Sequence, residues 1–453
     1  MITRRKLLGA GGAASAAGLA GAAGLLGSVA TSGLAASTDY RALVVLFLNG
    51  GNDGNNLLVP TDGAFTDYQA SRSTLAFSKA SLASLPGTAA GHSFGLHPSL
   101  APLVPIYSQQ RLAFIANVGP LIEPATAAQV LANAVDVPPF LFSHSDQVAI
   151  QQGWTVTDDM SGWAGRGLEL LPSGLRNPAA AVTMSNNRTL VLGKHSSVSF
   201  LSRDGSRWWG AADLSQPGSE TAQAINRMAQ WQFGNVYEAE YARTFGSAVA
   251  DSTRFTQAIL KATPPTADFG SGDLADRLRQ LAMLLPMFKS DGLKRQVFLV
   301  DWGSFDTHTN QRGTTAQSQD TQFGVAAKAI AGFDTAMQSS GMSSNVTLLV
   351  MSDFGRTLRP GSGGGSEHAW GNHWLALGGA VNGGTVHGVF PDLRLGGPDD
   401  GDRGRNGRLV PSTASDQVGA SMMQWLGLPD NLQLEAFPNL VNFNQKTTPL
   451  MKA

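Results

Sequence analysis

The sequence predicts an α/β fold: a mostly parallel, doubly wound sheet with helices on both faces. Three observations carry that prediction. Five short runs are continuously apolar, each run is followed by a polar, Gly-rich loop, and segments with helical periodicity lie between them. A strand buried on both faces reads as an unbroken apolar run, and parallel neighbours require crossovers that are usually helical.

Residues 41–48 (RALVVLFL) form the first run and end in Asn49-Gly50-Gly51-Asn52-Asp53-Gly54. Residues 112–118 (LAFIANV) stop at Gly119-Pro120, and residues 296–300 (QVFLV) lead into Asp301-Trp302-Gly303. Residues 346–351 (VTLLVM) lead into Ser352-Asp353, and residues 374–377 (WLAL) lead into Gly378-Gly379. Helical patterns cover residues 222–261, 274–289, 319–337 and 415–426. Residues 185–290 hold Trp208, Trp209 and Trp231 with few strand signals. They read as a helical insertion or cap that shapes a pocket, or equally as further core helices. There is no Pro/Ser-rich linker and no internal repeat, so residues 37–453 read as one large α/β domain.

Residues 1–36 read as a signal. Arg4 and Arg5 are adjacent, Leu7 and Leu8 follow, and residues 9–30 are mostly Gly, Ala and Leu. That is the layout of a twin-arginine signal, with small residues at Gly33, Ala35 and Ala36 for cleavage. The competing reading is a retained N-terminal anchor. The expected partner is the twin-arginine translocase and the expected location is periplasmic or extracellular, with no stable membrane insertion of the mature chain. The 453-residue chain has no cysteine, so no disulfide supports it and stability must come from a packed core or bound metal. Without Arg4, Arg5 and Lys6 the charge is −4 (29 basic against 33 acidic), which argues against a nucleic-acid partner.

The residues that could carry chemistry sit where such a sheet binds ligands, beyond the carboxyl ends of its strands. Asp306 and His308 lie two apart after a strand and would project to one side of an extended backbone. They read either as an ion-binding pair or as a capping Asp beside a hydrogen-bonded His. Asp353 ends the 346–351 run, and Arg356 is close enough to bind an anion bidentately. The competing reading of Asp353 is a turn cap. Glu367-His368-Ala369-Trp370-Gly371-Asn372-His373 puts two histidines and an acid before a strand, which points to metal ligation by His368 or His373. Asp53, in the loop after the first run, is a further candidate oxygen ligand. Asp and His donors suit Zn, Mn, Fe or Mg, and the carboxylates add Ca. Ser143 in SHSDQ reads first as a helix N-cap, and otherwise as a nucleophile at a helix start.

Three strings are decoys. Asp353-Phe354-Gly355 lacks the other kinase motifs, and Gly50-Gly51-Asn52-Asp53-Gly54 lacks dinucleotide-site spacing. Gly91-His92-Ser93-Phe94-Gly95 matches the nucleophile elbow, but no strand precedes it.

Six segments in this order resemble the exported bacterial family called domain of unknown function 1501. They are LVVLFLNGGNDGNNLLVP (43–60), FGLHPSL (94–100), LFSHSDQ (141–147), WGSFDTH (302–308), SDFGRT (352–357) and EHAWGNHWLALGGAVNGG (367–384). That family is similar to the alkaline phosphatase and sulfatase superfamily. The resemblance implies an alkaline-phosphatase-like sheet, a site for one or two divalent metals, and hydrolysis of phosphate or sulfate esters. Carried over, Asp53, Asp306, His308, Asp353 and His368 resemble metal ligands, and Ser143 resembles the nucleophile. Phe354 stands where the superfamily has a His, which weakens one metal position. The absence of Cys excludes the formylglycine route through Cys.

The expected function is an exported, metal-dependent hydrolase of phosphate or related anionic (sulfate) esters. Ser143 would attack, Asp53, Asp353 and His368 would hold one ion, and Asp306 and His308 would hold or support another. Its partner is a small anionic ester or a cell-surface polymer. The rival is a non-catalytic exported binding or structural protein that keeps the fold.

Overall fold

The structure, a computed structural model, describes residues 39–153, 160–203 and 219–452. The signal predicted for residues 1–36 and the Trp208-Trp209 pair lie outside the described residues.

Strand β1 (Arg41–Leu48) sends apolar side chains to both of its faces. Ala42, Val44, Leu46 and Leu48 enter one core cluster, while Leu43, Val45 and Phe47 enter another. The helices Asp273–Ser290 and Gln319–Ser339 cover the first face. The helices Trp163–Leu170 and Ser415–Leu426 cover the second. Burying one Val, Leu or Phe side chain contributes about 1.5–3 kcal/mol. A strand with no polar face therefore gains most at the centre of a two-sided layer, and β1 lies there.

The remaining strands, in chain order, are β2 (Leu58–Pro60), β3 (Ala83–Ser84), β4 (Phe94–Leu96), β5 (Leu112–Gly119), β6 (Ala181–Thr183) and β7 (Ser199–Phe200). They continue with β8 (Arg295–Trp302), β9 (Val346–Ser352), β10 (Arg356–Pro360), β11 (Ser366–His368), β12 (Asn372–Leu377), β13 (Thr385–His387) and β14 (Thr413–Ala414). The main sheet runs β13-β5-β12-β9-β1-β8-β6-β7, with β14 also on β5. β2, β3 and β4 form a small antiparallel sheet, and β10 pairs with β11 as an antiparallel hairpin.

All five predicted runs are strands of the main sheet, and most of its pairings are parallel. One run departs from expectation. The run at 374–377 belongs to β12, which is antiparallel to both β9 and β5. The physical reason is the connection. Between β9 and β12 the described chain forms only the β10–β11 hairpin, with no crossover helix to carry it back to the opposite edge for a parallel return. The consequence is functional, because β12 begins, rather than ends, at the edge where β1, β8 and β9 finish.

The helical stretch at 222–261 is two helices, Glu220–Met228 and Val236–Lys261, the second capped by Asn235 accepting from the Tyr237 amide at 2.8 Å. Within residues 185–290, β7 joins the main sheet and the helix Asp273–Ser290 is core, with Leu274, Leu278, Leu281 and Leu285 fully buried. The helix Val236–Lys261 buries only Ala242, Val249, Asp251, Phe255 and Ala258 of its 26 residues, and it joins that core through Phe255 and Ala258 near its C-terminal end.

Candidate metal centre

The register brings three loops to one level, since Leu48 of β1 pairs with both Trp302 of β8 and Ser352 of β9. The turn after β1 needs glycine. Gly50 has φ of 99°, and a Cβ there would lie 2.5 Å from the Asp306 amide nitrogen. Its own amide donates to both carboxylate oxygens of Asp353 at 3.1 Å. Arg356, with a fully buried side chain, ties these loops together. It donates to the carbonyls of Gly51 (2.8 Å), Ser366 (3.0 Å), Phe305 (3.1 Å) and Gly50, and to Asp306 Oδ1 at 2.7 Å.

Three imidazoles meet Asp306 on this scaffold. The Nε2 atom of His368 is 3.1 Å from Nε2 of His144, 3.0 Å from Nε2 of His308 and 3.1 Å from Asp306 Oδ1. Nε2 of His144 is 3.3 Å from Asp306 Oδ2, and Nε2 of His308 is 3.0 Å from Asp306 Oδ1. Each ring's other nitrogen faces an oxygen that only accepts. Nδ1 of His144 meets Asp353 Oδ2 at 2.8 Å, Nδ1 of His368 meets the Phe142 carbonyl at 2.7 Å, and Nδ1 of His308 meets Glu367 Oε2 at 2.7 Å. In the neutral rings those nitrogens carry the protons, so three Nε2 lone pairs point at one carboxylate. Lone pairs held that close repel unless a proton or a metal cation lies between them. Metal–nitrogen bonds of about 2.0–2.1 Å in a tetrahedral site space their ligands roughly 3.3 Å apart, close to the observed spacing. The ligand atoms of His144, Asp306 and His368 all lie within 4.8 Å of one another. His308 stands outside that group and reaches it through Asp306 and His368. The donor set therefore fits a divalent metal, with Asp353, Glu367 and the Phe142 carbonyl orienting the rings.

Electrostatics follow from these contacts. Partial burial alone would raise the Asp306 pKa, but the Arg356 bond and charge and the His368 bond outweigh it and hold the carboxyl well below its usual range. The bond to Asp353 raises His144, against a smaller effect of burial. Burial lowers His368, opposed by its bond to the Phe142 carbonyl. Phe354, fully buried, stands behind two of the rings with its centroid 4.8 Å from those of both His144 and His368.

Of the ligands expected from the sequence, Asp306, His308 and His368 come together and three others do not. Asp53 is wholly buried, ion-paired to Arg72, and accepts from Gln311 Nε2 at 2.5 Å, so a guanidinium occupies the place expected of an ion. Asp353 is adjacent, but its carboxylate orients His144 and accepts from Gly50. His373 lies in β12 and is 3% exposed. Its Nδ1 accepts from the Asn117 amide at 3.0 Å, its ring stacks on Phe390, and burial lowers its pKa to about 3. Arg356, expected to bind an anionic ligand, is not placed to face one. A fully buried guanidinium committed to four carbonyls and Asp306 positions loops and has no face for an anion.

Ser143 is the N-cap residue of the helix His144–Gln151 by backbone, but its side chain makes no capping bond. The hydroxyl instead donates to Asp146 Oδ2 at 2.5 Å. Phe142 before it is held at φ of 75°, a strained angle for a non-glycine residue, with its carbonyl turned to His368. His144 is a candidate ligand that reading the sequence missed. Its signal was the His inside SHSDQ, between two serines at a helix start. The Ser93 string leads into β4 rather than a helix, and Asp62 accepts from the Ser93 amide at 3.2 Å, so it forms no elbow.

These features define an α/β protein with a His/Asp metal-type centre at the carboxyl edge of its sheet. Residues 40–396 match a family described as protein of unknown function (DUF1501), and the chain belongs to that family. No curated protein matches it. Solved structures similar to it include the lipoteichoic acid synthase LtaP from Listeria monocytogenes, at 9% identity over 89% of this chain and 76% of that one, with a TM-score of 0.36. The PsFucS1 sulfatase from Pseudoalteromonas sp. matches at 10% identity over 84% and 71%, with a TM-score of 0.33. The phosphonate monoester hydrolase SpPMH from Silicibacter pomeroyi matches at 9% over 85% and 73%, with a TM-score of 0.31. Likeness this distant adds nothing to the reading of the site. Among the described residues, no helix is long and apolar enough to cross a membrane.

Proposed function

We propose that this protein is an exported hydrolase of phosphate or related anionic (sulfate) esters that works with a divalent metal held by His144, Asp306 and His368, with His308 beside them. One observation carries the reading: three rings have their Nδ1 atoms anchored on oxygen acceptors while their Nε2 atoms converge on one carboxylate. A divalent ion bound there would lower the pKa of a nearby hydroxyl and offset charge developing on the ester oxygens. Ser143 is the nucleophile. Its oxygen bonds to phosphorus or sulfur, the ester oxygen leaves with a proton, and water then releases the anion from the serine. Asp146 accepts the Ser143 hydroxyl proton in a hydrogen bond before attack, and the helix start offers backbone N–H groups to the anion. Zn, Mg, Mn and Ca are the ions to test. The paired arginines of residues 4 and 5 support twin-arginine export to the periplasm or beyond, where a small ester or a cell-surface polymer is the substrate.

A second reading, a non-catalytic binding or structural protein, draws support from Phe354, whose buried ring fills a position the superfamily gives to His. Elemental analysis of the purified protein, followed by chromogenic phosphate mono- and diesters and sulfate esters, separates the two. Hydrolysis is expected in the metal-loaded protein, and Ser143→Ala should remove nearly all of it with metal content unchanged. Metal-loaded protein that turns over none of the three ester classes would leave the binding reading standing.

A further inference from the structure

With Arg356 committed to the loops, the site needs another group to grip an anion, and Arg408 has the right mounting. Its backbone is fixed on both sides: the carbonyls of Asn406, Gly407 and Leu409 accept from Arg359 (3.0 Å), Leu358 (3.1 Å) and Gly371 (2.9 Å). The buried carboxylate of Asp400 accepts from the Arg408 amide at 3.1 Å and from the Gly407 amide at 3.0 Å. The side chain then points at the metal centre's own supports. Its Nε donates to the His368 carbonyl at 3.0 Å, and the guanidinium lies 4.4 Å from the centre of the Phe142 ring. Phe142 is the residue whose carbonyl holds His368, and Ser143 follows it. The terminal nitrogens of Arg408 make no hydrogen bond to any described residue. The nearest carboxylate oxygen, on Asp402, is 3.7 Å from Nη1, and the side chain is 30% exposed.

A half-buried guanidinium, oriented by a carbonyl and a ring, whose outer N–H groups make no hydrogen bond to a described residue and face only the longer ion-pair contact to Asp402, presents a planar fork to solvent. Such a fork matches two oxygens of a tetrahedral oxyanion. We propose that Arg408 binds the non-bridging oxygens of the anionic ester and orients it toward Ser143. This assignment rests on the hydrolase reading above for its substrate class. Arg408 lies beyond the 40–396 span of the family match, so that match gives it no role.

The test is calorimetric titration of the metal-loaded, full mature protein with inorganic phosphate and, separately, sulfate. Arg408→Ala should weaken binding of the preferred anion at least tenfold, raise KM more than it lowers kcat, and leave metal content and melting temperature near wild type. Arg408→Lys should recover only part of the affinity, because it keeps the charge and loses the fork. The proposal is overturned if wild type binds neither anion, or if Arg408→Ala binds as wild type does. It is also overturned if both variants lose metal in proportion to affinity, since Arg408 would then act through His368. Anion binding that depends on Arg408 in a protein without esterase turnover would sink the hydrolase reading alone. Turnover with anion affinity indifferent to Arg408 would sink this assignment alone.

Discussion

At the residue scale, the centre depends on groups that need not touch a metal. Asp353 receives two contacts from the Gly50 amide and one from His144 Nδ1, which fixes the ring with Nε2 toward Asp306. Asp353→Asn keeps an acceptor oxygen and removes the charge. It should reduce metal affinity by roughly 10- to 100-fold, the usual effect of losing such a partner, measured by competition with a chromophoric chelator. In metal-free protein it should also lower the His144 pKa toward its ordinary value. The raised pKa means that the pair's contribution to stability is full below the unfolded His value near 6.5 and fades as pH rises through the folded pKa. The destabilisation by Asp353→Asn should therefore be larger at pH 5.5 than at pH 8.5. Unchanged metal affinity would mean that Asp353 does not orient the ligand.

At the scale of elements, the helix Ser415–Leu426 carries an acid in its first turn, Asp416, half-buried at a cavity it lines with Arg166 and Asn439. Burial raises the Asp416 pKa from its ordinary 3.8 to about 6, against the opposing Arg166 charge and the Asn439 bond. A raised folded pKa favours the folded state fully below 3.8, and that advantage is lost as pH rises through 6. Asp416→Asn should thus melt near wild type at pH 4 and higher than wild type at pH 8. Parallel pH curves for the two proteins would contradict this. Helix limits were readable in the sequence where a periodic face met a core, as at 415–426. The 222–261 stretch hid a break near Gly234 because its pattern is only weakly buried.

For the whole molecule, the centre joins the loops after β1, β8 and β9, the approach to β12 and the helix His144–Gln151. An ion bound only by this folded arrangement stabilises it by mass action, by about 2.7 kcal/mol at a free concentration one hundred times Kd. Chelation should lower the melting temperature by several degrees, and re-addition of metal should restore it. A melting curve unmoved by chelator, with no metal found by elemental analysis, would leave the converging imidazoles without a cation.

The sequence alone determined the two-sided sheet, because strands with two buried faces must be written as unbroken apolar runs and the five runs at 41–48, 112–118, 296–300, 346–351 and 374–377 are such strands. It also brought Asp306, His308 and His368 into view, because polar residues beside such strands fall at a sheet edge. Tertiary structure decided the rest. Strand direction leaves no mark on local composition, so only the hairpin connection showed β12 running antiparallel, with His368 of β11 at the edge just before it. An Asp or His looks the same in sequence whether it meets an ion, an arginine or a carbonyl. Partners far along the chain made Asp53 the counterion of Arg72, committed Arg356 to carbonyls, sealed His373 beside Phe390, and turned His144 toward Asp306.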